Sequence, residues 1–143
     1  MTVKAILAQK GRDVVTMEPT ADLVAVVRTL ADRRIGAVLV TDLDKRVIGI
    51  LSERDIVRAL AEHGPSVLRR AVETLMTRKV VPCSEADTVG EIMERMTAGK
   101  FRHLPVLEAG ELVGIVSIGD VVKYRLAEVQ RESEDLRDYI LTA

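Results

Sequence analysis

The chain writes one stretch twice, and an internal repeat of this length restricts the possible architecture more than any local pattern. Val14–Val40 aligns with Val80–Val106 at a constant offset of 66, which sets Val14 and Val15 on Val80 and Val81, Leu23 on Val89, Leu30 on Met96, Ile35 on Phe101 and Val40 on Val106. One residue drops out near Leu43–Lys45 and the offset becomes 65. Gly49-Ile50-Leu51-Ser52 then falls on Gly114-Ile115-Val116-Ser117, and Asp55 on Asp120. A unit of ~55 residues buries too little surface to be stable alone, so the copies are expected to pack on each other as a pseudo-two-fold body. The cleft between them is the natural ligand site in such a body.

Each copy carries the same order of elements. Leu23, Val26, Val27 and Leu30 recur at helical spacing, as do Val89, Ile92, Met93 and Met96, which predicts an amphipathic helix early in each repeat. Two short apolar runs follow, Ala37–Val40 with Val47–Leu51 and Leu104–Leu107 with Leu112–Val116. Each pair is split by a turn-rich stretch and reads as a β-hairpin. A second helix comes next, with Ile56, Val57 and Leu60 in one copy and Val121, Val122 and Leu126 in the other; the first of these stops at His63-Gly64-Pro65. The predicted fold is α+β, strand-helix-strand-strand-helix twice over. Residues 1–66 form the first repeat with its lead-in segment, 67–127 the second, and 128–143 a helical extension.

Composition narrows the function. Aromatic residues are 2% of the chain and the formal net charge is −1, so neither a base-stacking platform nor a basic footprint for nucleic acid is present. No apolar run approaches the ~18 residues of a membrane span and no secretory leader is recognisable, which makes the cytoplasm the expected compartment. The one cysteine, Cys83, rules out an internal disulfide and a cysteine-based zinc cluster, and reads as a small buried hydrophobe. An activated nucleophile, a metal cluster and a glycine-rich phosphate loop are also missing. No catalytic residue and no metal ligand is therefore assigned.

The chemistry concentrates in Gly49-x-x-Ser52-x-x-Asp55 and Gly114-x-x-Ser117-x-x-Asp120, each placed where the hairpin's second strand turns into a helix. Here the serine becomes the N-cap and the aspartate the third helical residue. Such a corner can hold an anion on free amides while the carboxylate accepts bonds from a ribose diol. Ser-x-x-Asp is equally a capping box, which stabilises a helix start by about 1 kcal/mol without any ligand. Its recurrence at the same place in both repeats favours a functional reading over coincidence.

With Gly-Ile-Leu-Ser-Glu-Arg-Asp at 49–55, Arg-His-Leu-Pro-Val at 102–106 and Gly-Ile-Val-Ser-Ile-Gly-Asp at 114–120, the chain resembles the stand-alone bacterial CBS-domain-pair proteins over about residues 5–127. The resemblance implies a Bateman module that binds AMP, ATP, NADH or S-adenosylmethionine between its repeats. Asp55 and Asp120 would hold ribose hydroxyls, with Ser52 and Ser117 near phosphate. Each site would be composite: Asp120, with Ile115 and Ser117, would work with Lys10, Gly11 and Val15 and with Ile35, Gly36 and Ala37 against the base. The Asp55 site would draw on Thr77 and Val81 and on Phe101, Arg102 and His103.

The two sites are not chemically equal. Arg54, Arg102 and His103 supply cations to one, whereas Gly119 replaces Arg54 in the second repeat and leaves Lys10 as the cation there. Each of these has a plainer reading: His103 as a hydrogen-bonded packing residue, Arg54 and Arg102 as solvated charges, Gly36 as a close-packing residue and Gly11 as an ordinary turn. The resemblance further implies a homodimer and an unidentified regulated protein. A non-catalytic oligomerisation or scaffold subunit with vestigial clefts is the alternative. Val121–Leu141, with apolar residues near heptad spacing, either folds back on the body or reaches a second subunit.

Overall fold

The computed structural model describes residues 1–142. The chain divides into two units, one of Asp13–Val81 with Ala109–Val113 and the other of Met1–Arg12, Pro82–Glu108 and Gly114 onward.

In the first of these units β1 (Thr16–Met17) lies parallel to β2 (Ala37–Thr41), which runs antiparallel to β3 (Val47–Ser52), giving a sheet of order β1-β2-β3. The register pairs Ala37 with Ser52 and Leu39 with Ile50. Two helices, α2 (Leu23–Arg33) and α3 (Glu53–His63), cover the sheet. Asp22 caps α2, its carboxylate accepting the Ala25 N–H at 2.8 Å, and Gly64 ends α3 at φ +74°, a conformation that favours glycine. The core joins Leu23, Val26 and Leu30 of α2 to Val38, Val40, Leu51, Ile56, Val67, Val72 and Met76. Each such side chain contributes roughly 1.5–3 kcal/mol on full burial.

The other unit holds α4 (Val89–Gly99), β4 (His103–Glu108), the Gly114–Ser117 part of β5 (Glu111–Ser117), which pairs with β4, and a long helix α5 (Ile118–Thr142). Thr88 caps α4, as its hydroxyl accepts the Glu91 N–H. An additional helix, α1 (Val3–Lys10), belongs to this unit and buries Val3, Ile6 and Leu7 completely or nearly so. Its opening amides find acceptors there: Val3 N–H donates to the Asp87 carbonyl at 2.9 Å and Lys4 N–H to that of Glu85 at 3.0 Å. Arg12 adds an ion pair to Glu85.

Several expectations change in detail. The strand expected at the head of the first repeat is short: Lys10 ends α1, Gly11 caps it, and pairing starts only at Thr16. The matching stretch from Met76 through Val81 makes a single bridge, Thr77 to Ile50, and the second repeat's first strand shrinks to one bridge between Cys83 and Val106. Val57, Val122 and Leu126, the apolar residues that marked the second helix of each repeat together with Ile56, Leu60 and Val121, are 66%, 44% and 64% exposed. Their apolar spacing shows that a face exists, while burial depends on what meets it. α5 runs unbroken from Ile118 to Thr142, and its residues beyond Glu128 are exposed.

Candidate functional site

Both Gly-x-x-Ser-x-x-Asp corners fold alike because the same local bonds are available to each. At the first, Ser52 is the N-cap of α3; Asp55 Oδ2 accepts the Ser52 N–H at 2.9 Å and its hydroxyl at 3.0 Å, and Asp55 N–H donates to Ser52 Oγ at 3.4 Å. At the second, Asp120 Oδ2 accepts the Ser117 N–H at 2.9 Å, and Asp120 N–H donates to Ser117 Oγ at 3.1 Å. A third bond is doubled too. Glu53 N–H donates to the Gly36 carbonyl at 2.9 Å and Ile118 N–H to the Arg102 carbonyl at 2.8 Å, so the residue ahead of each hairpin is tied to the helix start. Sequence reading missed this tie, although the doubled offset that pairs Gly36 with Arg102 carried the signal.

These corners are therefore capping boxes first. In each, the hydrogen bonds converge on Oδ2, and Oδ1 accepts none among the described residues. That oxygen faces no competition from the cap. Asp55 and Asp120 are both half-buried, exposed enough for a ligand to reach and sheltered enough for a hydrogen bond to count.

The glycine of each motif has a steric cause. A Cβ on Gly49 would sit 2.2 Å from Met76 Sδ, and one on Gly114 would sit 2.8 Å from a Leu7 methyl. Removing the side chain lets the segment that precedes each repeat lie against β3 or β5.

Around Asp120 the structure gathers Lys10, Ile115 and Ser117. Lys10 Nζ donates to the Ile115 carbonyl at 2.8 Å and to Asp120 Oδ2 at 2.5 Å. Burial by itself would raise the Asp120 pKa, but the Lys10 ammonium and the Ser117 amide outweigh it and hold the carboxyl below its ordinary value. At the Asp55 corner Ser52 pairs with Ala37 and Gly36 is tied to Glu53, while Thr77 lies against Ile50, with which it exchanges two backbone bonds at 2.9 and 3.0 Å. Val15 accepts the Leu39 N–H through its carbonyl and Ile35 is half-buried.

Other candidates spread out. Arg54 stands on the exposed face of α3, where it lines a shallow depression of about 490 Å³ with Glu53, Val57 and Arg58. Arg102 is exposed, its carbonyl engaged as described, while Phe101 and His103 are half-buried at the start of β4 and Val81 is half-buried ahead of Cys83. A cavity of about 920 Å³ opens at the hairpin-turn end of the three-stranded sheet, between Thr16–Thr20, Thr41–Lys45 and Leu112. It contains neither aspartate. Among the described residues no cluster of three or more His, Cys, Asp or Glu side chains is placed to hold a metal ion, and no helix is long and apolar enough to cross a membrane.

Comparison with known proteins agrees with this architecture. The CBS domain family model matches twice, over residues 3–62 and 72–127, and the chain belongs to that family. A CBS-domain containing protein from Agrobacterium tumefaciens is 50% identical in its crystal structure, with a TM-score of 0.84 over 87% of this chain and 92% of that one. A CBS domain protein from Pyrobaculum aerophilum, solved in complex with AMP, is 31% identical with a TM-score of 0.75 over 84% and 89% of the two chains. The plant CBS domain-containing protein CBSCBSPB1 of Arabidopsis thaliana is 29% identical over 133 residues, which is 93% of this chain and 24% of that protein. The chain thus spans about a quarter of that relative. CBS domain pairs are in general regulatory rather than catalytic modules.

Proposed function

We propose that this chain is a non-catalytic sensor that binds an adenosine-containing ligand, AMP foremost, at the Asp55 and Asp120 corners. The observation that carries this reading is the doubled corner itself, in which a half-buried carboxylate keeps one oxygen outside its capping bonds. A ribose diol offers two donors to such an oxygen. The AMP complex of the Pyrobaculum aerophilum protein supports this ligand class. ATP, NADH and S-adenosylmethionine are the other candidates. In this reading Ser52 and Ser117 lie toward phosphate, and Val15, Ile35–Ala37, Thr77, Val81 and Phe101–His103 supply backbone and side chains to the base and its surroundings.

The corners should differ in the ligand charge they accept. Asp120 already holds an ammonium, which a phosphate can recruit when the ribose takes the carboxylate. Arg54 and Arg102 provide guanidinium groups for the other site. A cytoplasmic homodimer that passes ligand occupancy to a partner protein completes the proposal. Calorimetry of the full chain with AMP, ATP, NADH and S-adenosylmethionine tests it: saturable binding that Asp55→Ala and Asp120→Ala each reduce is the expected result.

A second reading, an oligomerisation subunit with vestigial clefts, draws on the exposed apolar residues of α5. Silence across the ligand panel, with self-association intact, would decide for it.

A further inference from the structure

The two capping boxes differ in one donor. At the first, the Ser52 hydroxyl donates to Asp55 Oδ2 at 3.0 Å. At the second, among the described residues, the Ser117 hydroxyl makes no such bond, and the Lys10 ammonium donates to Asp120 Oδ2 instead, at 2.5 Å. An ammonium has taken the place of a hydroxyl on the same oxygen.

The fold aims Lys10 at this point. It is the last residue of α1, where the plain role of a lysine is to meet the closing carbonyls of its own helix. Its Nζ reaches instead to the Ile115 carbonyl at 2.8 Å and to Asp120, 105 and 110 residues further along the chain. The helix itself is tied down, by the Val3 and Lys4 amides on the Asp87 and Glu85 carbonyls, by Leu7 against Gly114, and by the ion pair of Arg12 with Glu85. Only the four-carbon stem of Lys10 is left to move, and it carries the charge.

This placement makes the Asp120 carboxylate a conditional acceptor. Hydrogen bonds to an ionised group are roughly twice as strong as neutral ones, and here an ammonium draws on that charge first. A ligand with no anion of its own either accepts the weakened carboxylate or pulls the pair apart and strands a partly buried charge. A phosphate removes that cost, because the ammonium then moves from one anion to another. Asp120 regains its charge for the ribose and can take the Ser117 hydroxyl, which is the arrangement Asp55 already has. At the Asp55 corner the residue equivalent to Lys10 is the uncharged Met76, packed over Gly49, so no such condition applies there.

We propose that Lys10 makes the Asp120 corner conditional on phosphate: it admits a 5′-nucleotide and turns away the bare nucleoside, while the Asp55 corner takes both. This selectivity rests on the adenosine-ligand function proposed above.

Calorimetry of the full chain with AMP and adenosine tests it, with Asp55→Ala as background so that the Asp120 corner is read alone. There AMP should bind and adenosine should be about tenfold weaker or more. Adding Lys10→Met removes the cost that adenosine meets, whereas for AMP it removes the cost and the compensation together. Adenosine should tighten about tenfold, AMP should not tighten, and the preference between them should collapse. If the background variant does not fold, the wild type gives the answer as stoichiometry, with AMP filling one more site per chain than adenosine. Adenosine unchanged by Lys10→Met, both ligands tightened alike, or adenosine filling as many wild-type sites as AMP would each overturn the condition and leave the adenosine-ligand function standing. No binding of AMP to the wild type would overturn that function, and the condition with it.

Discussion

The corners at Asp55 and Asp120 match bond for bond in their caps and differ in what the preceding segment brings to them. Met76 and Lys10 occupy equivalent positions ahead of the two repeats, 66 residues apart. Met76 is 8% exposed and packs over Gly49, while Lys10 reaches across to the Ile115 carbonyl and to Asp120 itself. Duplication preserved the scaffold, and one side chain changed its electrostatics. A carboxylate held by an ammonium and one held, among the described residues, by its own helix start present different surfaces to the same ligand class.

Four measurements break or sharpen that comparison. The largest effect belongs to the carboxylates: Asp55→Ala and Asp120→Ala should each weaken AMP at their own corner by about 2–3 kcal/mol, roughly 30- to 150-fold in Kd by calorimetry. Unchanged titrations in both variants would remove the aspartates from the site.

Next come the glycines. Gly49→Val and Gly114→Val should cost about 1–3 kcal/mol in denaturant unfolding, because each added side chain overlaps a packed neighbour. Gly49→Val is expected to cost more, as Met76 approaches to 2.2 Å and Leu7 only to 2.8 Å. The reverse order would mean that Met76 yields easily.

The caps should be equal. Ser52→Ala and Ser117→Ala are each expected to lower stability by about 1 kcal/mol, and a clear inequality would show that the two helix starts are not equivalent.

Lys10→Met has the smallest expected effect, about 0.5–1 kcal/mol at neutral pH for a partly exposed ion pair. Its pH dependence has a definite sign. The folded Asp120 pKa lies below the ordinary 3.8, so the contribution is full above that value and fades as acid takes the pH down through the folded pKa. Wild type and Lys10→Met should therefore differ in thermal midpoint at pH 7 and converge in strong acid. A gap that persists there would mean Lys10 acts through packing or its bond to Ile115.

Much of this was legible in the residues. The repeat offset gave both hairpins within a residue or two, Ser52 was placed as N-cap with Asp55 at the third helical position, and Cys83 was read as buried. The resemblance put Lys10 in the Asp120 site as a cation for the ligand; its ion pair with Asp120 itself was not foreseen. The spacing of Val57, Val122 and Leu126 placed them on helices, as found, but spacing shows only that apolar residues share a face and leaves open whether anything covers it.

Sequence alone determined the local rules: periodicity chose helix and strand, and Ser-x-x-Asp fixed each helix start through bonds that span three residues. Tertiary structure decided where the lead-in segments went. Met1–Arg12 packs with the second repeat, and the stretch through Val81 packs with the first. That choice rests on contacts between residues dozens of positions apart, such as Val3 with Asp87 and Thr77 with Ile50, whose partners are set by which backbone groups and apolar faces lack one after the local bonds are made.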